Sequence, residues 1–260
     1  MTGSARAMNI LILGGTAEAR ALAGALAARK DLAVTVSLAG RTAQPAAQPV
    51  PVRMGGFGGA DGLARYLRDE QIDALIDATH PYAAIISANA AYAAERTGVP
   101  LLALRRPPWT KVTGDSWIEV ATVEDAVEAL GKAPRRVFLA LGRKELQPFA
   151  TAPQHIYLVR SVDLVDPPLA VPHATYIAAR GPFTEEEDQA LLKRHRIETI
   201  VAKNSGGAAT YGKIGAARAL RLPVIMLKRP ALPDVPSAEM VEEVLAWLDH
   251  ALTLSTARGV

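Results

Sequence analysis

The chain has 260 residues, of which 50% are hydrophobic, 21% charged and only 5% aromatic, a composition that excludes a disordered protein and calls for a core of Ala, Leu, Val and Ile. It contains no cysteine, so a disulfide framework, a thiolate metal site, an iron–sulfur cluster and a cysteine nucleophile are all excluded, and a reducing compartment fits. The net charge of +3, with no long basic run, gives no sign of nucleic-acid binding.

No apolar stretch reaches the ~18 residues needed to span a bilayer, and Met8–Leu13 is too short for a secretory core. A cytoplasmic protein with no membrane partner is expected. Asn9–Leu13 is a continuous apolar run that ends in Gly14-Gly15-Thr16 and leads into Ala17–Lys30, which predicts a buried strand, a tight turn and a helix. Leu32–Leu38 predicts a second strand. A Pro/Gln/Ala-rich connection over Thr42–Gln48 follows, then Val50–Met54 and a glycine-rich turn through Gly55 and Gly56. Ala60–Glu70 is an amphipathic helix and Ile72–Ala78 a buried strand. Thr79-His80-Pro81-Tyr82 opens a helix to about Arg96, with Pro81 in its first turn. Val99–Leu104 is the next strand, and strands alternating with helices predict a mostly parallel sheet covered on both faces.

The second half repeats the first. Ile72 and Ile197, Pro100 and Pro223, Gly55 and Gly181, and Ile12 and Ala140 mark matching features in the same order, separated by 125, 123, 126 and 128 residues. Both halves close a buried strand with a basic pair and proline: Arg105-Arg106-Pro107 and Lys228-Arg229-Pro230. The fold class is therefore α/β, with two similar Rossmann-like doubly wound halves and a ligand cleft between them, where strand carboxyl ends converge. Residues 1–108 form the first half and 135–260 the second. The connection over 109–134 carries a short strand at Trp117–Val120 and a helix near Val123–Leu130. Leu252–Val260 is expected to be a disordered tail.

The chemistry gathers at predicted strand ends. Gly14, Gly15 and Thr16 sit where a helix amino terminus offers free N–H groups to a phosphate. The full G-x-G-x-x-G pattern is absent, and many α/β proteins carry such a turn without a nucleotide. The second strand ends in Ser37-Leu38-Ala39-Gly40-Arg41-Thr42 with no acid for ribose hydroxyls. Arg41 suits a 2′-phosphate, with Ser37 or Thr42 beside it, unless it only opens an exposed loop; this points to NADPH over NADH. Gly55, Gly56, Thr79, His80, Pro81 and Tyr82 complete the cofactor set. In the second half Gly142-Arg143-Lys144 replaces the glycine pair, which suits carboxylate capture. Residues 202–213, with Lys203, Asn204, Ser205, Tyr211 and Lys213, are dense in donors for an anion, although a glycine-rich polar segment also serves as a plain turn. The basic pairs suit a polyanionic small molecule or simply a solvated surface. No metal-ligand set is predicted.

The segments LILGGTAEAR, DATHPYA, VPLLALRRPPW, LALGRKEL and VAKNSGGAATYGKI together resemble the precorrin-6A reductase family of cobalamin (vitamin B12) biosynthesis, in order and over about residues 9 to 249. The resemblance implies an NADPH-dependent reduction of the macrocycle precorrin-6A to precorrin-6B. It implies a tetrapyrrole-derived substrate with many carboxylate arms, for which Arg105, Arg143, Lys144, Lys203, Lys213 and Arg229 are fitting cations and Asn204, Ser205 and Tyr211 further donors. The cofactor supplies the hydride, and the proton comes from Tyr211, Lys203, His80 or a bound water. A monomer is expected. A cobalt-bearing substrate, another NADP-linked reductase and a non-enzymatic carboxylate-binding module remain alternatives. The spacing of Tyr211-Gly212-Lys213 does not match the Tyr-x-x-x-Lys of short-chain reductases.

Overall fold

The computed structural model describes residues 6–40 and 45–257, with side chains as far as 253. Arg41 and Thr42 lie outside the described residues. The chain divides into two units, one of residues 1–106 with 231–260, the other of residues 107–230.

The first unit starts with strand β1 (Met8–Leu13), helix α1 (Ala17–Leu26), β2 (Leu32–Leu38), β3 (Val52–Met54), α2 (Gly59–Asp69), β4 (Ala74–Asp77), α3 (Ala84–Thr97) and β5 (Leu101–Leu104). From Ile10 to Leu13 β1 is apolar and buried because both its faces are covered. Ile10 and Ile12 pack with Leu22, Ala23 and Leu26 of α1. Leu11 and Leu13 pack with Leu63 and Leu67 of α2 and Ala90 and Ala93 of α3. α1 stops at Leu26, short of the expected Lys30: Arg29 N–H donates to the Leu26 carbonyl, Leu32 N–H to the Arg29 carbonyl, and Arg29 pairs with Asp31 at 2.6 Å. These turn the chain into β2.

The second unit contains β6 (Trp117–Val120), α4 (Val123–Leu130), β7 (Arg136–Ala140), two short 3-10 turns at Arg143–Glu145 and Gln147–Thr151, β8 (Ile156–Ser161), β9 (Ala174–Ala178), α5 (Glu185–Arg194), β10 (Thr199–Lys203), α6 (Gly212–Ala219) and β11 (Val224–Leu227). The chain then returns to the first unit with β12 (Ser237–Ala238) and α7 (Val241–Ala257).

The sheets have the orders β12-β5-β4-β1-β2-β3 and β6-β11-β10-β7-β8-β9, and all described strand pairs are parallel. β1 to β5 match β7 to β11 position for position, in keeping with the repeat seen in the sequence. Where the first unit has α1, the second has only its two 3-10 turns.

The outermost strands follow a different rule. β6, which comes after β5 in the chain, joins the sheet of the second unit beside β11. β12, which comes after β11, joins the sheet of the first unit beside β5. The structure thus departs from the sequence division at 108 and 135. Residues 109–134 are part of the second unit, and the segment from 231 belongs to the first. The segment from Leu252, expected to be disordered, is helical as far as Ala257, and Leu252 packs on the α1 face of the core, a burial that holds the helix in place. No described helix is long and apolar enough to cross a membrane.

Candidate active site

In the first sheet the chain runs from β1 to β2 on one side and crosses to β4 on the other, so the topological switch point lies between the carboxyl ends of β1 and β4, where ligands bind in open α/β sheets. Gly14 follows β1 and donates its N–H to the Ser37 carbonyl at 2.9 Å. A Cβ at Gly14 would lie 2.8 Å from Val36 Cγ1, so only glycine lets the turn approach β2 this closely, whereas a Cβ at Gly15 would meet nothing within 4 Å. Thr16 caps α1: its Oγ1 accepts from Ala19 N–H at 3.0 Å and donates to the Ala78 carbonyl at 2.8 Å, tying the turn to the end of β4. The open space over Gly15 and the first-turn N–H groups of α1 fit a diphosphate.

Across the switch point, buried Asp77 accepts from the Thr79 hydroxyl at 2.7 Å and from Thr79 N–H at 3.2 Å. His80 Nδ1 accepts from Tyr82 N–H at 3.3 Å, and Ala83 N–H donates to the His80 carbonyl. These bonds close residues 79–83 into a turn of their own, so α3 begins at Ala84 and Pro81 is buried outside the helix instead of opening it. Arg106 donates to Glu18 in the first turn of α1 at 2.7 Å. Arg105 Nη2 donates to the Pro233 carbonyl, and its buried Nε has no hydrogen-bond partner among the described residues. Gly55 and Gly56 turn their carbonyls toward Arg53, which donates to them at 2.7 and 2.9 Å.

In the second unit the turn after β7 leaves Arg143 and Lys144 exposed. Arg143 lies 3.6 Å from Asp163 and 3.5 Å from the Leu164 carbonyl. Lys203, at the end of β10, donates to Glu145 in the first 3-10 turn at 2.6 Å. The segment after it wraps around Trp109. Asn204 Oδ1 accepts from Trp109 N–H at 2.8 Å, its Nδ2 donates to the Trp109 carbonyl at 2.9 Å, and the indole N–H donates to the Gly207 carbonyl at 2.8 Å. Arg229 donates to the carbonyls of Asn204 and buried Ser205. Gly206 needs its φ of +68°, and a Cβ there would run into the Pro107 carbonyl.

Tyr211 meets the Trp109 ring edge-on at 5.7 Å, and its hydroxyl accepts from Arg218 at 2.5 Å. Arg218 is in turn paired with Asp115 at 2.9 Å, and that hydrogen bond, with the one to Tyr211, holds its guanidinium above its usual pKa. Lys213 is 4% exposed, donates to the Thr210 carbonyl and sits 4.6 Å from the centre of the Trp109 ring. Its ammonium is spent inside the unit. An open, largely apolar cleft of about 490 Å³ lies beside this arrangement, lined by Pro107, Pro108, Trp109, Phe183, Glu185 and Tyr211 among others.

The strand ends therefore collect those of the singled-out residues that the structure describes, but several of them have internal partners. The organising residue, Trp109, was missed as a site element. So were Arg53, Glu145 and Arg218, whose only sequence signal was proximity to a glycine turn or to the donor-rich segment.

The model of the family described as precorrin-6x reductase CbiJ/CobK matches residues 9–249. The chain belongs to this family. This reductase is an oxidoreductase of cobalamin biosynthesis. A curated precorrin-6A reductase from a Sinorhizobium species is 57% identical over 243 residues, 94% of this chain and 93% of the relative. A cobalt-precorrin-6A reductase from Priestia megaterium is 32% identical over 258 residues, 95% of this chain and 99% of the relative. A solved structure of a CobK precorrin-6A reductase superposes with a TM-score of 0.90 at 49% identity, covering 94% of this chain and 97% of that one. The two-unit Rossmann-like fold is thus shared by this reductase and a solved family member.

Proposed function

We propose that the chain reduces metal-free precorrin-6A to precorrin-6B with NADPH, as a cytoplasmic monomer, holding the dinucleotide on the first unit and the carboxylate arms of the substrate with the second. The observation that carries this is the glycine turn Gly14–Thr16 at the switch point, open above Gly15 and opening α1. β2 ends in Ser37-Leu38 with no acid following in the chain up to Thr42, which favours the 2′-phosphorylated cofactor. The higher identity to the precorrin-6A than to the cobalt-precorrin-6A reductase described above supports the metal-free substrate.

When bound, the cofactor supplies the hydride to one carbon of the macrocycle. The residues of the chain bind, orient and provide the proton for the neighbouring atom. Gly14, Gly15 and Thr16 present backbone N–H groups, and Thr79, His80 and Tyr82 line the other side of the switch point. Lys203, Arg143 and Lys144 meet carboxylates. Asn204, Ser205, Lys213 and Arg229 build the loop that presents Lys203. Tyr211, with its hydroxyl already ordered by Arg218, is the proton-relay candidate on this unit and His80 the one on the first. The test is oxidation of NADPH in the presence of precorrin-6A, followed by the absorption spectrum of the product. No oxidation with precorrin-6A, together with turnover of the cobalt-bearing macrocycle, would reverse the choice of substrate.

A further inference from the structure

We propose that Arg53 reads the 2′-phosphate of the dinucleotide and sets the preference for NADPH over NADH, an inference that rests on the first unit being the cofactor site. In the β2–β3 pair Arg53 stands opposite Ser37, the residue at the carboxyl end of β2 where an acid would bind ribose hydroxyls in an NAD site. Opposed residues of parallel strands share a face, and Arg53 Nη1 lies 3.4 Å from Ser37 Oγ.

The guanidinium is held before any ligand arrives. It donates to the Gly55 and Gly56 carbonyls and lies 3.8 Å over the Phe57 ring, with Tyr66 5.1 Å away. All of these acceptors are neutral. The described ion pairs of the first unit occupy Arg6, Arg29 and Arg106, and Arg53 has no carboxylate partner among the described residues. A half-buried arginine that is fixed in place, uncompensated in charge and with donors left over is suited to a phosphate. Its fork matches phosphate oxygens, and its side-chain freedom is already given up. The Arg53 position thus offers, from a strand, the cation that the sequence led one to expect at Arg41.

The competing role for Arg53 is a staple that only holds the Gly55-Gly56 turn. Two probes differing solely in the 2′-phosphate separate the two roles: adenosine 2′,5′-bisphosphate and 5′-AMP, titrated calorimetrically into the full chain and its Arg53→Met, Arg53→Lys and Arg41→Ala variants. The wild type is expected to bind the bisphosphate about ten- to a hundredfold more tightly, the worth of a charge-assisted bond. Arg53→Met, which keeps a stem over Phe57, is expected to erase that preference while its 5′-AMP affinity stays within about twofold, and Arg53→Lys to keep part of it. Retention of the preference in Arg53→Met, its loss in Arg41→Ala alone, or an equal loss of both probes overturns the assignment to Arg53. A wild type that binds neither probe overturns the cofactor reading of the first unit itself.

Discussion

Asn204 distinguishes a residue that builds the site from one that touches the ligand. As a carboxylate donor, its removal would raise the substrate KM and leave stability alone. The structure assigns it two hydrogen bonds to the backbone of Trp109, at 2.8 and 2.9 Å, which fasten residues 107–109 to the loop after β10. Each such bond contributes about 1 kcal/mol net, so Asn204→Ala is expected to cost about 2 kcal/mol. For a protein of this size, 1 kcal/mol moves Tm by about 2–4 °C, which gives a loss of about 4–8 °C. Asn204→Asp keeps the acceptor for Trp109 N–H but sets a carboxylate oxygen against the Trp109 carbonyl, so it should not rescue the loss. Scanning calorimetry of both variants is the assay, with intrinsic tryptophan fluorescence to follow the environment of Trp109. A Tm within 1 °C of wild type for Asn204→Ala, with a raised KM, would refute the clamp and return Asn204 to the substrate.

Three further outcomes follow from the packing. Lys203→Ala should raise the KM for the macrocycle about tenfold with little change in kcat, as for loss of an anchoring charge; equal falls in kcat and kcat/KM in steady-state assays would instead place Lys203 in the transition state. Asp188→Ala leaves Arg160 buried and unpaired, since the two side chains are 1% and 8% exposed and bonded at 2.5 Å, and should cost about 3–5 kcal/mol in urea unfolding. His155 is fully buried, and burial holds its imidazole below its ordinary pKa of about 6.5. Its neutral form is favoured in the folded state, so its contribution to stability is present above pH ~6.5 and is lost as pH falls below that value. His155→Gln should flatten the acid limb of a Tm-against-pH curve, and an unchanged limb would show that other groups set it.

The first hundred residues were legible because each buried strand is a continuous apolar run that ends in glycine or a polar cluster, and two covered faces require that pattern. The start of α3 was misplaced because the proline at 81 signals a first turn, whereas the bond from Tyr82 N–H to the His80 ring, which no spacing reveals, closes a separate turn ahead of the helix. The last thirty residues were assigned to the wrong unit because a two-residue strand such as Ser237-Ala238 carries no local mark of which sheet it will join. At the site, the residue types at the strand ends were readable, but their partners were not. Nothing in the chain around Lys213 says that its ammonium turns inward to Trp109, and nothing around Lys203 announces Glu145, 58 residues away.

The exchange of outer strands also governs the order in which the molecule can be completed during synthesis. A ribosome releases residues 107–230 as one uninterrupted block, so the second unit has every strand of its sheet once Pro230 has emerged. The first unit, although it begins earlier, must wait with the outer edge of β5 bare until β12 arrives, and with the Ile10, Ile12 and Leu22 side of its core open until α7 covers it with Val244 and Leu248. The nascent chain thus carries an unfinished amino-terminal domain while the later one closes, a period in which bare edges and apolar surface invite association. Vectorial folding here completes the later unit before the earlier one, and a stall or truncation between Pro230 and Leu248 would damage the unit made first.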